Sequence, residues 1–117
     1  MSNITLKRIY DHKKPDDTYR ILVDRVWPRG LKKSEIFLDE WNREVTPSVK
    51  IRKWFDHQES RFKEFTKLYT EELKQKEEEL NRLRSIAKTK KVTLLYGAKD
   101  PQINHAVILR DVLTKLI

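Results

Sequence analysis

Two short apolar runs, Ile21-Leu22-Val23 and Val92-Thr93-Leu94-Leu95-Tyr96, stand on either side of a long stretch written for helix. That separation constrains the fold more than any other feature of the chain. Runs of this length and β-branched content form buried strands. Strands joined through helices can lie parallel in one sheet, whereas a tight turn leaves only antiparallel neighbours. The order strand, helices, strand, helix therefore predicts an α/β domain in which 20–24 and 92–96 are parallel neighbours.

The remaining elements follow from spacing. Ile4 and Leu6 alternate with polar residues, so 4–10 reads as a first strand. The loop 11–18 contains Pro15 and is short for a crossover, which makes the first two strands expected antiparallel partners. Residues 33–44 stay open. Ser34 can cap a short helix with Phe37, Trp41 and Val45 on one face, or part of the segment is extended. Thr46-Pro47 is a cap followed by a proline, the usual opening of a helix, here running to about Phe55. Between 59 and 88, Phe62, Phe65, Tyr69, Leu73, Leu80, Leu83 and Ala87 recur at three-, four- and seven-residue steps. Such a stripe packs one helix face into a core. Lys76 interrupts it, so the region is either one helix or two with a break near 74–77. Glu77, Glu78 and Glu79 point about 100° apart on a helix and form a solvated face rather than a metal cluster. Asp100-Pro101 repeats the cap-and-proline start, and the last helix is expected from Pro101 nearly to Ile117, with Ala106, Leu109, Leu113 and Leu116 inward. The expectation is one α/β domain over 1–117, with a small, at least partly parallel, three-stranded sheet (4–10, 20–24, 92–96) packed by helices.

Composition narrows the function classes. Hydrophobic and charged residues each make up 38% of the 117 residues, so the apolar set must be gathered on a few faces. There is no cysteine, which removes disulfides, thiolate catalysis and zinc–thiolate sites. The first ten residues carry charges within their apolar pattern and contain no signal-peptide core. No apolar run reaches the ~20 residues of a membrane span. A cytoplasmic protein with no membrane attachment is expected. His12, His57 and His105 are scattered and give no metal signature, and no cofactor motif is present. The formal net charge is +8. It suits a nucleic acid, an anionic metabolite or plain solubility.

Parallel neighbours present their carboxyl ends at one edge, where ligands bind in open α/β sheets. This edge brings Asp24-Arg25-Val26-Trp27-Pro28-Arg29 beside Tyr96-Gly97-Ala98-Lys99-Asp100. Arg25 and Arg29 can fork onto a phosphate or carboxylate, or pair with Asp24 or Asp39 and hold the loop. Trp27 and Tyr96 offer a surface for a ring, although packing is the commoner use of such a Trp. Lys99, Gly97 and the start of the last helix can support an anion. Asp24, Asp100 and His105 are the proton-transfer candidates of this edge, with Asn104 beside them. His57 follows Trp54-Phe55-Asp56 and reads as a helix end facing the C-terminal dipole.

The segments Leu22-Val23-Asp24-Arg25-Val26-Trp27-Pro28-Arg29-Gly30, Asp39-Glu40-Trp41, Pro47-Ser48, Arg52-Lys53-Trp54-Phe55, Val92-Thr93-Leu94-Leu95-Tyr96 with Asp100, and Asn104-His105-Ala106 together resemble the YeaO-like family, the domain of unknown function 488. The resemblance covers nearly the whole chain. It implies a small bacterial α/β protein without a settled biochemical role. It also implies that Asp24, Arg25, Trp27, Arg29, Trp41, Asp100, Asn104 and His105 form one set. Members often carry Ala-Ala or Ala-Lys before the aspartate of the last loop, so Gly97 is a variant, which speaks against an essential glycine cradle.

Two functional readings remain. The first is a ligand-binding or enzymatic domain for a small anionic, nucleotide-like molecule, with Arg25 and Arg29 on the anion and Lys99 in support. The second is a nucleic-acid-binding module without catalysis, motivated by the net charge, by Lys50-Ile51-Arg52-Lys53 and by Lys88-Thr89-Lys90-Lys91. Its weakness is that most aromatics fall on the apolar stripes instead of among the basic residues.

Overall fold

The computed structural model describes residues 3–115. Its sheet is built from β1 (Ile4–Arg8), β2 (Tyr19–Leu22), β3 (Glu40–Trp41) and β4 (Val92–Tyr96), in the spatial order β1-β4-β2-β3. Every pairing is parallel. The expected parallel neighbours do pair, with Tyr19 opposite Val92 and Leu22 opposite Leu95. Two expectations are corrected. The sheet has four strands rather than three, because Glu40 and Trp41 extend alongside Ile21 and Leu22. The first two strands are not antiparallel partners. β4 lies between them, so the loop argument, which assumed adjacent strands, does not apply. The first strand also ends earlier than 4–10, turning at Ile9–Asp11 into a single 3-10 turn.

The two faces of the sheet are covered differently. Ile21, Val23, Leu94 and Tyr96 face the helices. These are α1 (Val49–Phe55), α2 (Phe62–Leu73), α3 (Glu77–Thr89) and α4 (His105–Leu113). Leu22 and Leu95 face the other way, onto Ile9, Ile36, Trp27, Leu31 and Leu38 from the connecting segments and onto Trp41 of β3. With both faces buried, β4 is apolar almost throughout, as central parallel strands are.

The stripe predicted over 59–88 is core. Phe65, Tyr69, Leu73, Leu80 and Leu83 are buried, with Phe62 and Ala87 packed against them. The region is two helices joined by a 3-10 turn at Lys74–Lys76. This turn keeps Leu73 and Leu80 both inward. Phe65 stacks on Phe55 with centroids 4.2 Å apart, which docks α1 onto α2.

Both cap-and-proline signals mark turns ahead of the helices they announce. Thr46 donates its hydroxyl back to the Arg43 carbonyl (2.6 Å), and α1 starts at Val49 with Ser48 in the cap position. Asp100 Oδ1 accepts from the amides of Gln102 (2.8 Å) and Ile103 (3.0 Å). The last helix then starts at His105, capped by Asn104 Oδ1 accepting from the Val107 amide (3.1 Å). Ala106, Leu109 and Leu113 are buried as expected, whereas Leu116 and Ile117 lie outside the described residues. Among the described residues no helix is long and apolar enough to cross a membrane.

Candidate site at the carboxyl edge of the sheet

β2 ends at Leu22, and the next two residues carry the chain past the sheet edge. Val23 is still bonded to the sheet through its amide and the Leu95 carbonyl (3.0 Å). Asp24 follows, and its carboxylate turns toward β4, where Oδ2 accepts the Gly97 amide (2.9 Å). A Cβ at residue 97 would stand 2.8 Å from that same oxygen. Glycine therefore lets the two strand ends approach while Asp24 keeps this position. From behind, the Trp41 indole N–H donates to the Asp24 carbonyl (2.6 Å). Trp27 meets Trp41 edge to face at 5.3 Å and donates to the Leu31 carbonyl (2.6 Å). Trp27 thus packs the loop, and one of its edges borders the cavity in front.

α4 supplies the other half of the floor. His105 Nε2 lies 2.6 Å from the Val23 carbonyl. A carbonyl only accepts, so Nε2 carries the hydrogen and donates it. The same nitrogen is 3.4 Å from Asp24 Oδ1, a buried oxygen with no hydrogen bond among the described residues, because the Nε2 hydrogen is directed at Val23. Burial drives the Asp24 carboxyl above its ordinary range; His105, the Gly97 amide, Arg52 and His57 pull it back only in part. Tyr69 closes the cluster from α2, edge-on to His105 at 6.4 Å, with its hydroxyl donated to the Val45 carbonyl. Burial holds that phenol well above its ordinary range, so it stays neutral.

Above this floor is a cavity of about 520 Å³. Its rim combines Arg25 and Arg29 with Arg52, Lys53 and His57 from the end of α1. The helix ends on Asp56 and His57, both left-handed (φ 46° and 54°) although neither is glycine. Such geometry costs a non-glycine residue about 1 kcal/mol or more. Both residues border the cavity. Arg25 is fixed by one bond, Nε to the Pro47 carbonyl (3.2 Å). None of Arg25, Arg29 and Arg52 forms an ion pair among the described residues. Elsewhere Arg8, Arg20, Arg82, Arg84 and Arg110 are all matched by carboxylates, while Arg43 and Arg61 lie over Trp41 and Trp54. The alternative that Arg25 and Arg29 pair with Asp24 or Asp39 is therefore not what is found. Asp39 instead accepts the Arg20 amide (2.7 Å).

Asp24, Arg25, Trp27, Arg29, Asn104 and His105 all border the cavity. Asn104 is buried, and its amide is occupied by the Val107 N–H and the Asp100 carbonyl (2.7 Å). Its role here is to start α4 and so to place His105. Tyr96, Lys99 and Asp100 lie outside the cavity. Tyr96 is buried on the helix side, Lys99 is exposed, and Asp100 spends its carboxylate on its own turn. Sequence reasoning missed the contribution of α1. Its signal was present, a basic run ending in histidine, but only the packing of Phe55 on Phe65 directs that run to this edge. The second basic segment, 88–91, immediately precedes β4 and so lies at the opposite, amino-terminal end of the sheet. The two segments do not share a face. No group of three or more His, Cys, Asp or Glu able to hold a metal ion occurs among the described residues.

Comparison with known proteins places these residues in context. The family described as "Inactive DUF488-N3 subclade" matches residues 3–117. The uncharacterized protein YeaO of Escherichia coli K12 is 49% identical over 114 residues, covering 97% of this chain and 99% of its own. The uncharacterized protein Rv3073c of Mycobacterium tuberculosis H37Rv is 35% identical over 112 residues, covering 96% and 94%. No solved structure matches.

Proposed function

We propose, for a chain that belongs to the inactive DUF488-N3 subclade, that the carboxyl-edge cavity is a binding site for a small anionic, nucleotide-like ligand. The observation that carries this reading is the set of unpaired guanidiniums of Arg25, Arg29 and Arg52 around one cavity, in a chain that matches most of its other arginines with carboxylates. Bringing several unmatched cations together costs repulsion that an anionic ligand relieves. Arg presents paired N–H donors that fit phosphate or carboxylate. A volume of about 520 Å³ is of the size that holds a small metabolite.

Asp24 and His105 stand beneath the cations. The Asp24 Oδ2 lone pair not used by Gly97 suits a ligand N–H or O–H, and His105 holds the loop through Val23. The description of the subclade as inactive supports binding over turnover, and so does a histidine whose Nε2 is committed to the backbone.

A thermal-shift screen of nucleotides and phosphorylated metabolites tests the reading. A ligand at 100 times its Kd stabilises by about 2.7 kcal/mol. For a chain of this length that is about 10 °C in Tm. Arg25→Ala, Arg29→Ala and Arg52→Ala should each weaken a hit by at least tenfold, since hydrogen bonds to charged groups contribute about 1.5–3 kcal/mol. Hits indifferent to all three variants would place the ligand elsewhere.

A further inference from the structure

A second cavity, about 510 Å³, lies on the far side of Arg25. It is lined by Arg25, Arg43, Thr46, Ser48, Glu72 and Lys76, with Glu44, Leu73 and Gln75 completing it. Pro47 belongs to the first cavity, and its neighbours Thr46 and Ser48 belong to the second. The segment 46–48 is therefore the wall between them. Arg25 is fastened to that wall by Nε on the Pro47 carbonyl (3.2 Å), and among the described residues its terminal nitrogens have no hydrogen-bond partner. Arg25 borders both spaces.

The second cavity repeats the charge pattern of the first. Arg43 lies over the Trp41 ring at 5.2 Å, and among the described residues neither it nor Lys76 forms an ion pair. Two carboxylates are present. Glu72 is turned inward, with its two oxygens accepting from the Ser48 amide (2.9 Å) and hydroxyl (2.5 Å). Glu44 is exposed at the margin.

We infer that the two cavities are adjoining subsites for one ligand, which passes the 46–48 wall beside Arg25 and carries an anionic group on each side of it. This rests on the reading of the first cavity as an anion site and extends it. A single phosphate satisfies Arg29 and Arg52 but leaves Arg43 and Lys76 unmatched beyond the wall. A 5′-phosphorylated dinucleotide has the required form, two anionic groups joined by a short, flexible spacer.

The test compares binding of a 5′-phosphorylated dinucleotide and the matching mononucleotide by calorimetry, at constant ionic strength. The wild-type protein should bind the dinucleotide at least tenfold more tightly. The double variant Arg43→Ala/Lys76→Ala should lose that advantage and keep the mononucleotide affinity; both positions lie outside the core, so folding is preserved and checked by Tm. Equal affinities in the wild-type protein, or an advantage that survives the double variant, would overturn the second subsite and leave the first cavity standing. Failure of both probes to bind would overturn the reading of the first cavity and this inference with it.

Discussion

Replacing Arg20 with methionine should cost about 3 kcal/mol of folding stability. Arg20 is wholly buried at the middle of β2, on the face opposite the helices. Its guanidinium is a hub. Nε donates to the Phe37 carbonyl (2.9 Å), Nη1 to Asp16 Oδ2 (3.1 Å) and Nη2 to the His12 carbonyl (2.5 Å). Both loops that cover this face of the sheet are thereby tied to one side chain. Methionine keeps most of the volume and none of the donors. Each of the three bonds involves a charge and contributes about 1.5 kcal/mol, the lower end of the range, because His12 and Phe37 are exposed and their carbonyls can recruit water. Relief from burying a charge returns about 1.5 kcal/mol, part of the several kcal/mol such burial can cost. The balance is about 3 kcal/mol, or a fall of about 12 °C in Tm for a chain of this length. Arg20→Lys restores the charge without the fork and should recover less than half. Urea titration followed by tryptophan fluorescence measures both. A methionine variant within 1 kcal/mol of the wild type, or above it, would show that the hub is replaceable by apolar packing, as some buried ion pairs are.

Three further outcomes follow from the site. Burial raises the Asp24 carboxyl above its ordinary value of 3.8, so the folded state holds that proton more tightly than the unfolded chain. Its contribution to stability is therefore fully present below 3.8 and is lost as pH rises through the elevated folded value. Asp24→Asn should gain stability over the wild type as pH climbs from 4 to 7 in urea titrations; a gap that shrinks instead would refute the assignment. Asn104→Ala removes the cap of α4 and should cost about 1 kcal/mol, with amide exchange accelerating at 105–108 before the rest of the helix. Trp41→Phe deletes the N–H bond to the Asp24 carbonyl and should cost about 1 kcal/mol. It should also weaken any ligand that Arg25→Ala weakens, and unchanged affinity would show that the loop holds its shape without that bond.

Much of this architecture was legible in the letters, and the exceptions have physical causes. Ile21 to Val23 and 92–96 announce buried strands because both faces of a central parallel sheet demand apolar side chains. Glu40 and Trp41 announce nothing, since two residues are too few for a period to show. Thr46 and Asp100 signal a helix start and instead close turns, because the hydroxyl or carboxylate that caps a helix closes an isolated turn equally well. Arg20 opens the expected second strand with no sign of its environment, and only the loops folded over it reveal burial. At the site, Asp24, Arg25, Arg29 and His105 are legible because they stand just past the ends of parallel strands or at the start of the helix that follows. Arg52, Lys53 and His57 are not, because their position depends on how α1 docks, which periodicity does not encode. Tyr96, Lys99 and Asp100 share the edge in sequence order but point to other surroundings.

The strand order also sets a timetable. A chain emerging from the ribosome exposes β1 and β2 long before β4, yet Ile4 and Tyr19 both find their partner in Val92. Until then β1 has no neighbour in the sheet, and β2 has only the two residues of β3. Helices α1 to α3 can coil locally in the meantime, but the sheet on which they rest does not exist. Release of the last quarter of the chain is thus the event that permits folding, and contacts of such wide sequence separation make it slow relative to helix formation. A stalled nascent chain ending before residue 92 should remain sensitive to protease throughout. One that has cleared the exit tunnel beyond α4 should become resistant in a single step, because one central strand completes both halves of the sheet at once.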